Sequence, residues 1–178
     1  MSKNVLILSS SPRKKGNSNT LCDRFMEGAA EAHHQVEKVV LEEKKINYCT
    51  ACYACQKIGR CAQKDDMAGI LDSMVAADVI VLATPVYFYS MCAQMKTVID
   101  RTVAKYTEIA NKEFYFIVTA ADSNKAALER TIEGFRGFTS CLDGAREKGI
   151  VYGAGAWEIG DILKSRAMQQ AYEMGKAV

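Results

Sequence analysis

At 178 residues with 49% hydrophobic positions, the chain is long enough to bury one sizeable core and short enough to read as a single domain. Its 23 Lys and Arg face 21 Asp and Glu, a net charge of +2, and no long basic block or basic–aromatic interleaving marks a nucleic-acid surface. No apolar run approaches the roughly 20 residues of a membrane span, and Met1–Asn4 leads straight into a short apolar strand without a leader pattern. The expectation is a soluble, cytoplasmic protein with neither membrane nor nucleic-acid partners.

Val5-Leu6-Ile7-Leu8 has the length and branching of a buried strand. The polar stretch Ser9 to Thr20 follows, after which Leu21, Phe25 and Ala29 recur at helical spacing. A strand, a loop rich in hydroxyls and amides, and a helix N-terminus together form an anion site. Exposed backbone N–H groups and the positive end of the helix dipole both favour negative charge there. The loop matches neither G-x-x-x-x-G-K-[ST] nor G-x-G-x-x-G, so the usual triphosphate and dinucleotide loops are not indicated. A hydroxyl-rich loop without a dedicated lysine suits a single terminal phosphate, such as that of FMN. The plainer alternative is a turn whose Ser, Asn and Thr cap the helix.

The first helix is expected to end near Ala32 or His33, with His33 and His34 at its solvated end, before a second strand over Val36, Val39, Val40 and Leu41. Ile46 to Lys64 lacks periodicity and reads as an excursion. It holds four of the seven cysteines, Cys49, Cys52, Cys55 and Cys61. In an unexported chain these read as thiols or ligands, not as a disulfide framework. Asp65-Asp66 reads as the cap and first-turn charge of a helix carrying Met67, Ile70, Leu71, Met74 and Val75. Asp78 to Ala83 is the clearest strand, apolar on both faces like the centre of a parallel sheet. Pro85 is expected to stop its ladder.

Met95, Val98, Ile99, Thr102, Val103 and Tyr106 trace a further amphipathic helix, and Phe114 to Ala120 a fourth strand. Ala126 to Cys141 reads as a helix interrupted by Gly134 and Gly137, Gly149 to Gly153 as a short fifth strand, and Asp161 to Met174 as the closing helix. Cys22, Cys92 and Cys141 fall at helical positions and read as small buried residues.

Five strands alternating with helices predict one α/β domain. It is a flavodoxin-like doubly wound parallel sheet of order 2-1-3-4-5, with its ligand at the switch point between strands one and three. That rule brings the loop Ser9–Thr20 to the segment Pro85–Tyr89.

At these residues the chain resembles the NADPH-dependent FMN reductase and iron–sulfur flavoprotein group. The resemblance is carried by Ser11-Pro12-Arg13 with Gly16-Asn17-Ser18-Asn19-Thr20-Leu21, by Cys49-x-x-Cys52-x-x-Cys55 with Cys61 and Asp65-Asp66-Met67, and by Thr84-Pro85-Val86-Tyr87-Phe88 with Met91, Lys96 and Asp100-Arg101. These motifs span about the first hundred residues; Gly153-Ala154-Gly155 and Gly160-Asp161 look similar but are less specific. Ser10 departs from the pattern, since relatives often carry glycine there, and glycine allows backbone conformations that serine resists.

The resemblance implies bound FMN, with Ser9, Ser11, Arg13, Asn17, Ser18, Asn19 and Thr20 at the phosphate. Pro85, Val86, Tyr87, Phe88 and Tyr89 would line the isoalloxazine, and Asp122 and Ser123 would touch its far side. NAD(P)H would dock transiently as donor, with a small acceptor such as flavin or quinone, or a redox protein, as the electron sink. No side chain is required as a general acid or base. The resemblance also implies a homodimer or tetramer. The cysteine spacing matches that of iron–sulfur flavoproteins, with a [4Fe–4S] cluster on Cys49, Cys52, Cys55 and Cys61. Zinc and four free thiols stand as alternatives. Three functions follow for testing: an FMN-dependent oxidoreductase, an iron–sulfur electron carrier, and a flavodoxin-like module without turnover.

Overall fold

A computed structural model describes residues 1–178. Its elements are β1 (Asn4–Ser9), α1 (Asn17–Glu31), β2 (Gln35–Val40), α2 (Ala54–Ile58), α3 (Met67–Ala76), β3 (Val79–Tyr87), β4 (Ser90–Met91), α4 (Ala93–Arg101), β5 (Glu113–Ala120), α5 (Glu129–Thr139), β6 (Arg146–Ala154) and α6 (Ala167–Lys176). The main sheet runs β2-β1-β3-β5-β6, and every neighbouring pair in it is parallel. With the two-residue β4 set aside, this is the expected flavodoxin-like 2-1-3-4-5 order. No helix is long and apolar enough to cross a membrane.

The central strands are apolar at consecutive positions because both faces are covered. Leu6, Leu8, Ile80, Leu82, Phe114 and Phe116 point into one core with α3, α4 and α5. The alternate residues Val5, Ile7, Val79, Val81, Tyr115 and Ile117 point into a second core under α1 and α6. α1 and α6 meet backbone to backbone, since a Cβ on Gly28 would lie 2.1 Å from the Tyr172 carbonyl oxygen and one on Gly175 would lie 2.0 Å from that of Phe25.

Several boundaries differ from the sequence reading. β3 does not stop at Pro85: Pro85 pairs with Thr119 and the strand continues to Tyr87. Ala83 turns its carbonyl toward Ser10 of the β1 side, so Pro85, two residues on, faces the same way. β1 has already ended at Ser9, so the missing proline N–H deprives no neighbour of a bond. The helix expected over Ala126 to Cys141 is a 3-10 turn, Lys125–Leu128, followed by α5. The closing helix is likewise split into a 3-10 turn, Asp161–Lys164, and α6, with Ser165 extended between them. The fourth helix ends at Arg101 and tightens into a 3-10 turn over Thr102–Ala104, short of Tyr106. Cys22 and Cys92 are buried, but Cys141 is exposed beyond the end of α5.

Candidate functional site

α1 opens without a side-chain cap: its N-cap is Gly16, and no acidic residue stands in its first turn. The first N–H groups of a helix have no partner within it, so this end is left positive and open. The loop before it is shaped by its own side chains. Ser9 Oγ donates to Asn19 Oδ1 at 2.6 Å, Asn19 Nδ2 donates to the Arg13 carbonyl at 2.9 Å, and Gly16 N–H donates to the same carbonyl at 2.8 Å. A Cβ on Gly16 would sit 2.7 Å from Ser11 Oγ and 2.9 Å from the Arg13 carbonyl oxygen, so the turn closes only around glycine. Ser18 Oγ shares a 2.6 Å hydrogen bond with Thr119 Oγ1, tying α1 to the end of β5. Thr20 Oγ1 donates back to the Gly16 carbonyl.

Ser10 fits its turn. It is fully buried, and its hydroxyl donates to the Ala83 carbonyl at 2.9 Å, with Cys92 Sγ 3.1 Å away. The same turn brings the end of β3 alongside. There β3 and β4 form a two-residue hairpin, pairing Val86 with Met91 and Tyr87 with Ser90. Phe88 and Tyr89 make the turn with φ of 49° and 62°, the conformation of a type I′ hairpin usually filled by Asn and Gly. Phe88 is fully exposed at its tip.

The two loops share one cavity of about 360 Å³. Its polar wall is Ser11, Arg13, Gly16, Asn17 and Ser18; its other walls are Pro85, Val86, Tyr87 and Phe88, then Thr119, Ala120, Ala121, Ala156 and Trp157. A smaller cavity of about 170 Å³ adjoins it across Val86, Phe88, Ala120 and Ala121, and Tyr89 and Asp122 line that one. Ser9, Asn19, Thr20 and Ser123 line neither. Ser9 and Asn19 instead hold the loop in shape, and Asn17 commits both ends of its amide elsewhere. Its Nδ2 donates to the Glu158 carbonyl at 2.9 Å and its Oδ1 accepts from Gly160 N–H at 3.1 Å.

Thr119, Ala156 and Trp157 were not anticipated. Thr119 could have been found as the hydroxyl near the C-terminal end of an otherwise apolar strand, on the ligand side of the sheet. Trp157 is the chain's one tryptophan, directly after a Gly-rich strand end. The cavity as built suits an elongated ligand with an anion at one end and a flat ring at the other, which is the shape and charge of FMN.

The cysteine excursion is a second constellation. Cys49, Cys52, Cys55 and Cys61 all line one cavity of about 350 Å³, together with Arg101. No three His, Cys, Asp or Glu side chains are grouped to hold a metal ion. Ala51 and Tyr53, on either side of Cys52, both take left-handed backbone, with φ of 51° and 56°. The Cys52 thiol is held below the ordinary thiol range by the Ala54 N–H and then by the Thr50 hydroxyl. Burial instead pushes the Cys22 thiol up to about 12, which makes it inert.

A buried ion pair closes the neck of this loop. Arg101 donates to both carboxylate oxygens of Asp65, at 2.8 and 2.9 Å, and to the Asn47 carbonyl at 2.6 Å. Both side chains are nearly inaccessible, 1% and 3% exposed. Asp65 also accepts from the N–H of Asn47 and of Met67. Arg101, ahead of those N–H donors, holds the Asp65 carboxyl at about 2. Asp65 therefore does more than cap α3. Asp66, at the N-cap position, makes no side-chain cap and accepts from Lys45 N–H instead. Arg101 Nε is buried without a partner.

Comparison with known proteins bears on both constellations. Residues 3–139 match the family of NADPH-dependent FMN reductases. An iron–sulfur flavoprotein of Archaeoglobus fulgidus is 44% identical over 91 residues, covering 51% of this chain and 41% of that protein. The chain spans about half the length of the curated relatives it matches. Among solved structures, an azoreductase from Bacillus anthracis superposes with a TM-score of 0.77 at 16% identity, covering 100% of both chains. An NAD(P)H:quinone oxidoreductase from Methanothermobacter marburgensis gives 0.75 at 16% identity, covering 99% of this chain and 96% of that one. At such identities these structures speak for the fold alone. With more than two thirds of its residues inside the family match, the chain belongs to the NADPH-dependent FMN reductase family.

Proposed function

We propose that the chain is an FMN-dependent oxidoreductase that takes electrons from NAD(P)H and passes them to a small acceptor such as a flavin or quinone. The observation that carries the reading is the uncapped N-terminus of α1 opening into the same cavity as the aromatic hairpin. The chemistry supplied by bound FMN is hydride acceptance from a reduced nicotinamide and release of electrons singly or in pairs.

The chain's own part is binding and orientation. The free N–H groups of Asn17 and Ser18, with the Ser11 hydroxyl and the Arg13 guanidinium, would receive the phosphate, while the Gly16 N–H is spent on the Arg13 carbonyl and shapes the turn. Ser9, Asn19 and Thr20 act one layer back, fixing the loop that presents those donors. Pro85, Val86, Tyr87 and Phe88 line the ring, with Tyr89 and Asp122 at its far end. Ser123 has no part in this assignment. No side chain is assigned as a general acid or base.

The test is anaerobic addition of NADPH to FMN-loaded protein, followed by a quinone or free flavin. Loss of the flavin's visible absorbance and its return on adding the acceptor are expected. FMN that binds but is never reduced would point to a module without turnover, and a protein that refuses FMN would sink the reading.

One observation favours a second reading, an electron carrier with a [4Fe–4S] cluster: four cysteines line a single cavity. The curated relatives matched over about half of the chain bear the name iron–sulfur flavoprotein. Thiolates on the corners of a cluster stand farther apart than the ligands of one ion, so the absence of a single-ion group does not decide against it. Iron and sulfide assays on anaerobically purified protein test it. About four irons per chain supports a cluster, and none leaves Cys49, Cys52, Cys55 and Cys61 as thiols. The proposed setting is cytoplasmic, as a homodimer or tetramer, which light scattering would check.

A further inference from the structure

Trp157 is the largest side chain on the cavity that the flavin assignment leaves without a task, and it is 67% exposed. Its backbone, by contrast, is fastened from three directions. Arg13 Nη1 donates to the Trp157 carbonyl at 3.3 Å. Asp161 accepts from the N–H groups of Trp157 and Glu158 at 3.0 and 2.7 Å. Asn17 grips Glu158 and Gly160 with the two ends of its amide. A rigid loop that holds out a bare indole is a preorganised platform for a flat ring.

The position of that platform selects the ring. Arg13 belongs to the phosphate loop and Asn17 is the first residue of α1, so the indole stands at the anion end of the cavity. The isoalloxazine is assigned to the other end, against Pro85 to Phe88, and has no need of a second wall here. The sheet has a single switch point and no second nucleotide-binding half, so a dinucleotide must rest its adenosine on side chains at the surface. Arg13, exposed and bonded to the Trp157 carbonyl, supplies positive charge beside the platform for its phosphates, and the exposed Lys15 follows in the same loop, whereas Lys14 pairs with Glu43. An aromatic face next to cations is the recognition chemistry of a base carrying phosphate.

We propose that Trp157 stacks on the adenine ring of the nicotinamide donor, with the adenosine phosphates over Arg13 and the nicotinamide directed toward the hairpin. This rests on the FMN reductase reading and adds the donor's docking pole to it. Trp157 is then a specificity-determining residue outside the stretch matched by the family.

The experiment compares two donors on FMN-loaded protein: NADPH, and reduced nicotinamide mononucleotide, which lacks the adenosine phosphate. Trp157→Ala is expected to raise KM for NADPH about tenfold, the scale of one base–aromatic stack, with kcat unchanged. KM for the mononucleotide should stay the same. Trp157→Phe should recover most of the loss. The adenosine bisphosphate end of NADPH, used alone as a redox-inert inhibitor, should compete with NADPH and weaken about tenfold against Trp157→Ala. Reduction by both donors with an equal effect of the substitution, or with none, would overturn the proposal while leaving the reductase reading standing. FMN that no donor reduces would overturn both.

Discussion

Asp65 and Arg101 lie far apart in sequence, and their ion pair is the most buried charge in the chain. A carboxyl whose folded value is depressed stabilises the fold fully above its ordinary value of 3.8, and that contribution is lost as pH falls toward about 2. The shift corresponds to about 2 kcal/mol. Asp65→Asn should destabilise the protein by about 3 kcal/mol near neutral pH, because it leaves a buried guanidinium unpaired. The same change should flatten the loss of stability between about pH 4 and about pH 2. Urea denaturation across that range measures both effects, with Asp72→Asn as a control. Asp72 pairs with Lys105 in solvent, and its loss should shift stability by about 0.5 kcal/mol or less. Little of this was legible in sequence. Two adjacent aspartates before an apolar period carry the signature of a cap, and nothing local shows that one of them meets an arginine from another helix. Asn17 and Asn19 teach the same point. Their residue type placed them at a polar loop, but only the folded chain shows their amides committed to Glu158, Gly160, Ser9 and Arg13.

Among the elements, the β3–β4 hairpin sets function against stability. Phe88 and Tyr89 occupy left-handed backbone that costs roughly 1 kcal/mol or more for each bulky side chain. Replacing the pair, Phe88→Asn with Tyr89→Gly, gives the turn its preferred residues and should raise stability by about 1 kcal/mol while weakening FMN binding. Thermal melts and flavin titrations on the same variant check the two signs. A loss of stability would show that the aromatic pair is packed more firmly than its exposure indicates. The helix pair α1 and α6 gives a sharper steric contrast. Gly28→Ala should cost about 3 kcal/mol, since its methyl would meet the Tyr172 carbonyl. Gly137→Ala, with nothing within 4 Å of its methyl, should stabilise by about 0.5 kcal/mol. Chemical denaturation of the two variants separates them. The hairpin itself was hidden in the sequence because Pro85 argued for a strand end. Its tolerance depends on where β1 stops, a fact about a neighbouring strand.

Across the whole molecule, the order of the sheet and the meeting of two distant loops followed from strand–helix alternation alone. Period and length specify a doubly wound sheet, and the switch-point rule then names the ligand's place. What the alternation could not supply was the rim beyond β6, where Trp157 enters through the fastened loop after Ala156. The central claim is that the open end of α1 is a phosphate site, and equilibrium titration of the apoprotein with FMN and with riboflavin tests it most directly. The two ligands share a ring and differ by the phosphate. Two or three charge-assisted hydrogen bonds to that group should make FMN bind about a hundredfold more tightly, with the gap narrowing about tenfold in Arg13→Ala. Equal affinities for FMN and riboflavin would contradict the account.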